Sequence, residues 1–78
     1  MKRFMGYMVE VKVSGRFENN WIQIGLQKNE NNAEVAATQT WYCGQRVVES
    51  QITEYYSVNG KIVTEPHQKR WSSEPVGV

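Results

Sequence analysis

Apolar and polar residues alternate along MGYMVEVKVSGRF near the start of the chain. Met5, Tyr7, Val9, Val11, Val13 and Phe17 share one parity; Glu10, Lys12, Ser14 and Arg16 share the other. A period of two, carried by β-branched and aromatic residues, marks a half-buried strand. Asn19-Asn20 supplies a two-residue turn, because asparagine tolerates positive φ. The chain then returns through WIQIGLQ, with Phe17 opposite Ile22, Gly15 opposite Ile24 and Val13 opposite Leu26. Gly15 is a natural place for a bulge. The polar run Asn29 to Asn32 leads to a third strand that sets Leu26 opposite Val35 and Ile24 opposite Ala37. Gly44-Gln45 matches a type II′ hairpin, which places Trp41 opposite Val48. Asn59-Gly60 is the strongest hairpin signal in the chain and aligns Tyr56 with Val63, Ile52 with His67 and Val48 with Trp71.

These four turns, each chosen from local chemistry, keep the apolar residues on one face, and that agreement carries the fold assignment. The face includes Val11, Val13, Ile22, Ile24, Leu26, Trp41, Val48 and Trp71. The pattern therefore predicts an all-β protein: a small five-stranded antiparallel meander forming a single domain over 1–71, with 72–78 as a flexible tail. The alternative is α+β with one helix. It would lie either in 32–43, capped by Asn32 and ended by Gly44, or in 46–57, where Val48, Ile52 and Tyr55/Tyr56 approach helical spacing. The many Val, Thr, Ile and Tyr residues there argue for strand. On the polar face Glu49 falls between Thr40 and Arg70. On the apolar face Glu54 meets Glu65, a like-charge conflict that a bulge near Thr53 or Thr64 would relieve.

In the meander no element covers the apolar face, so the sheet must close as a small barrel or pair face to face in a homodimer. A chain of 78 residues builds only a thin core. One cysteine excludes an internal disulfide, and one histidine excludes a Cys/His zinc cluster. A second copy is the stabiliser left. The net charge of +1 gives no electrostatic drive toward nucleic acid or membrane. Lys2 and Arg3 open the chain as a signal peptide would, but Glu10 and Lys12 break the apolar run that should follow. With no stretch near the roughly 20 apolar residues of a membrane helix, the expectation is a cytoplasmic protein without membrane contact.

Cys43 is the first candidate for chemistry. A nucleophilic thiol needs a base, and the only histidine, His67, falls two strands away and six positions out of register in the meander. Arg46 beside the thiol leaves a redox-sensing role open. Glu54 and Glu65 lack a third ligand for a metal. No phosphate-binding, dinucleotide-binding, zinc-protease or nucleophile-elbow motif occurs. The expectation is a protein that is not an enzyme, with no catalytic, cofactor or metal residues. Trp21, Tyr42 and Tyr55 share the polar parity with Arg16 and Arg70, and aromatics and arginine dominate protein-binding hot spots. The sequence thus predicts a small accessory or regulatory protein that binds a protein partner, an inhibitor or regulator of the kind phages and mobile elements encode. The same residues allow the alternative of a single-stranded nucleic-acid platform, although Glu10, Glu18 and Glu49 cancel its charge.

Overall fold

A computed structural model describes residues 1–14 and 20–72, and at 67 and 68 the backbone alone. The chain runs β1 (Lys2–Val13), β2 (Ile22–Gln27), α1 (Glu30–Ala37), β3 (Trp41–Tyr42), β4 (Gln45–Val58) and β5 (Lys61–Ser72). The fold is the small, mostly β antiparallel protein expected, with the single short helix of the alternative. The five strands form an open sheet in the order β2-β1-β4, with β3 and β5 both pairing β4, so it does not close into a barrel. Gly15, Arg16, Phe17, Asn19 and the tail 73–78 lie outside the described residues.

Three expected hairpin pairings are present, β1·β2, β3·β4 and β4·β5. The pairing expected between WIQIGLQ and the segment after Asn32 is not. That segment is α1, and β1 pairs β4 instead, from Lys2↔Val58 to Val13↔Val47. Helix α1 starts before the expected cap. Asn29 Oδ1 accepts from the Asn31 and Asn32 amides at 2.8 and 3.2 Å, and Glu30 in the first turn suits the helix dipole. Thr38 ends it, with its hydroxyl donating to the carbonyls of Glu34 and Val35. Eight residues are too few for a helix stable by itself, so packing must hold it. Ala33 and Ala37, one turn apart and fully buried, let the helix lie close against Val9 and Ile52. Ser50 Oγ donates to the Ala37 carbonyl at 2.5 Å, and Lys69 of β5 pairs with Glu30 and Glu34. The middle of the apolar face is thus covered from within the chain. The need for a barrel or a face-to-face dimer, argued from a bare sheet, falls away there.

Val9, Val11 and Val13 are fully buried, as the alternation of β1 predicts. Elsewhere bulges shift the pattern. Lys12 pairs Glu49 but Val13 pairs Val47, so Val48 is one residue too many on β4. Beyond this bulge the parity reverses: Val47 is buried, Val48 is half-buried, Tyr42 packs on the Val11/Val13/Val47 cluster, and Trp41 is 62 % exposed. Trp41, expected inside, is outside, and Tyr42, expected outside, is against the core. The hairpin turn also sits one residue earlier than expected. Trp41 pairs Arg46 and Tyr42 pairs Gln45, which leaves Cys43 and Gly44 as the turn at φ 51° and 77°.

The β1·β2 register differs from the sequence expectation as well. Val11, not Phe17, lies opposite Ile22, and Ile24 is an extra residue between Gly25 and Gln23. Ile22 and Ile24 pack on the core, as does Trp71. Leu26 pairs Met8 and is 39 % exposed. In β4·β5 the Asn59-Gly60 turn and the Tyr56↔Val63 pair are as predicted. Past Thr53↔Pro66, four steps along β5 match two along β4 to reach Gln51↔Arg70, so Ser50, not Val48, faces Trp71. Proline has no N–H for the ladder, and an edge strand at a bulge is where it is tolerated.

Candidate binding surface

On the sheet face away from α1, Trp21 lies beneath two cations. Lys12 Nζ is 4.6 Å and the Arg70 guanidinium 5.5 Å from its ring centre. Glu49 holds both, at 3.7 Å from Lys12 and 2.9 Å from Arg70. The expected Glu49–Arg70 attraction is therefore present, reached diagonally rather than straight across the ladder. Further along the same face Gln51 and Thr53 both donate to Glu10, and the Gln23 amide donates to the Tyr55 hydroxyl at 2.5 Å. Of the residues predicted to bind, the fold brings Trp21, Tyr55 and Arg70 to one face. It sends Tyr42 to the core side, and Arg16 lies outside the described residues. Lys12 and Arg70 share the one Glu49 carboxylate, and Glu10 further along supplies the second negative charge, so the face is polar and close to neutral. That charge balance suits a phosphate backbone poorly.

The other notable surface went unnoticed in the sequence. β1, β4 and β5 run past the end of α1, and the molecule is 48 Å long but only 24 by 22 Å across. On this projecting end Phe4, Ile62 and Val63 are 43 %, 55 % and 39 % exposed. Phe4 sits edge-on to Tyr7 and Tyr56, with ring centres 4.9 and 5.4 Å away. The signal that could have found it is length: β4 spans 14 residues and an eight-residue helix cannot cover it.

Glu54 and Glu65 do lie opposite each other, and no bulge separates them. Partners relieve the conflict: the Tyr56 hydroxyl donates to Glu54 at 2.7 Å, and Lys2 binds Glu65 at 2.6 Å. The bond to Glu54, with the two carboxylates near, pushes the Tyr56 hydroxyl up to about 12. The raised folded-state value means that its contribution to stability is complete below pH 10.0 and declines as pH rises from there toward 12. An absorbance titration should show one tyrosine ionising near pH 12 that vanishes in Tyr56→Phe. An unchanged titration curve in the variant would refute the bond.

Cys43 is exposed in its turn, level with Gln45, while His67 sits in β5 between the partners of Thr53 and Gln51. At about 3.3 Å per residue the two backbones are on the order of 20 Å apart along β4. The Tyr42 hydroxyl has its pKa raised by the Cys43 thiol beside it. Among the described residues no group of His, Cys, Asp or Glu could hold a metal ion, and no helix is long and apolar enough to cross a membrane. No protein-family model, curated protein or solved structure matches this chain.

Proposed function

We propose that this chain is a small, non-catalytic accessory or regulatory protein that binds a protein partner through the end of its sheet beyond α1. The observation that carries this reading is the exposure of Phe4, Ile62 and Val63 on strands whose other end already builds the core. Phe4 and Val63 flank Tyr56 across the ladder on one face, and Ile62 lies on the opposite face beside Ser57. Large apolar side chains left exposed where folding does not need them are the usual mark of an interface. The near-neutral Trp21 face supports a protein partner over nucleic acid, because Lys12 and Arg70 are both paired to Glu49 and Glu10 on the same face offsets the remaining charge. The free thiol of Cys43 fits a reducing compartment, as the cytoplasm is.

Photo-crosslinking in the source organism tests this. A benzophenone side chain at position 62 should give one protein adduct of discrete mass, and the same group at Val35, 72 % exposed on the helix, should give none. Val63→Glu should abolish the adduct while leaving the circular dichroism spectrum unchanged. An adduct of the chain with itself would make the homodimer the answer. Adducts removed by nuclease, or none from either position, would reject the proposal.

A further inference from the structure

All eight acidic residues of the chain are glutamates, and each described one has a partner. Glu10 accepts from Gln51 and Thr53, Glu30 and Glu34 hold Lys69, Glu49 holds Lys12 and Arg70, Glu54 accepts from Tyr56, and Glu65 holds Lys2. The cations are not used up in the same way. The side chains of Arg3 and Lys28 make no ion pair or hydrogen bond among the described residues. Both line one groove at the projecting end, about 470 Å³ in volume, whose other walls are Phe4, Met5, Leu26 and Ser57.

The groove is a product of the backbone. Met5 is an extra residue between the Phe4↔Tyr56 and Gly6↔Tyr55 pairs, and Gly6 takes φ 151°. With no Cβ on Gly6, the Leu26 side chain lies over it: a built Cβ would sit 3.0 Å from Leu26 Cγ. Apolar walls of Phe4, Met5 and Leu26 thus stand beside two unmatched positive charges. The cleft between α1 and β5 is the contrasting case, since its Lys69 is already bound by Glu30 and Glu34.

We infer that this groove is the partner-docking site and that it takes an acidic, apolar protein segment: one or two large apolar side chains against Phe4, Met5 and Leu26, flanked by carboxylates that pair with Arg3 and Lys28. The inference rests on the protein-binding reading above and adds the chemistry of the partner. Charge complementarity selects the acidic segment, and the apolar walls select protein over nucleic acid, which would need a longer track of cations.

The probe is a fluorescein-labelled octapeptide with a central Leu-Phe flanked on each side by glutamates, compared with its glutamine counterpart. The acidic peptide should bind about tenfold more tightly at low salt, a difference that two exposed ion pairs can supply, and the advantage should shrink as salt rises. Amide resonances of Met5, Leu26, Lys28 and Ser57 should move on titration. The double variant Arg3→Glu/Lys28→Glu should lose the preference with its circular dichroism unchanged, whereas Lys61→Glu, at the hairpin tip outside the groove, should keep it. Equal binding of the two peptides, or shifts confined to other residues, would overturn the inference. So would displacement of the acidic peptide by a single-stranded oligothymidylate or by phosphatidylserine vesicles. If the acidic peptide fails while position 62 still crosslinks to a protein, the partner chemistry is wrong and the protein-binding reading stands. Loss of both removes both.

Discussion

Ile52→Ala should unfold a large fraction of the molecules. Ile52 is 1 % exposed and packs with Val9, Ala33 and Ala37 at the contact between sheet and helix. Truncating a buried isoleucine costs about 2–5 kcal/mol, from lost burial together with the cavity left behind. At roughly 0.05–0.15 kcal/mol per residue, a chain of this length has only about 4–12 kcal/mol in total. The two alanines opposite cannot fill the gap, because neither has atoms beyond Cβ. Urea denaturation should show a sharp fall in midpoint, with α1 losing amide protection first. A loss below about 1 kcal/mol would mean that the helix does not pack where the structure places it.

Gly6→Ala should be the most damaging change at any glycine of the described turns and bulges. Gly6 stands at φ 151°, where L side chains are strained, and an added Cβ would lie 3.0 Å from both the Gln27 carbonyl oxygen and Leu26 Cγ. The strained backbone alone costs about 1–3 kcal/mol, and the oxygen cannot move without breaking the end of the β1·β2 ladder. Gly60→Ala is the control. Its φ of 79° is also unfavourable, but nothing lies within 4 Å, so only the cost of a left-handed residue, about 1–2 kcal/mol, applies. The expected readout is a lower urea midpoint for Gly6→Ala than for Gly60→Ala, with faster amide exchange in β2. Equal midpoints would show that the close approach of β2 to Gly6 is absent.

Both variants bear on what could be read before the fold was seen. The alternation Val9, Val11, Val13 was legible because β1 is regular there and one face is wholly buried. Asn59-Gly60 was legible because its geometry depends on two residues that accept positive φ, at 51° and 79°. The helix was harder to read. Its core-facing residues are Ala33 and Ala37, and alanine contributes so little to an apolar stripe that Val35 and Trp41, both exposed, suggested a strand instead. In the candidate surface, Trp21, Tyr55 and Arg70 were found by parity alone. The projecting end and its groove were missed, since they depend on where the helix stops and on a bulge at Met5.

Sequence by itself determined the class of the molecule, a small antiparallel β protein, and the inward Val9, Val11 and Val13 of its first strand. Side-chain period and turn chemistry are local, and they are written in neighbouring residues. Only the tertiary structure decided which strands meet and which face each later residue takes. One inserted residue, Val48, reverses the parity of everything before it on β4. Val47 and Tyr42 turn inward and Trp41 outward. A bulge is stabilised by the ladder on both sides of it, so its position is a property of the assembled sheet and not of the residues that form it.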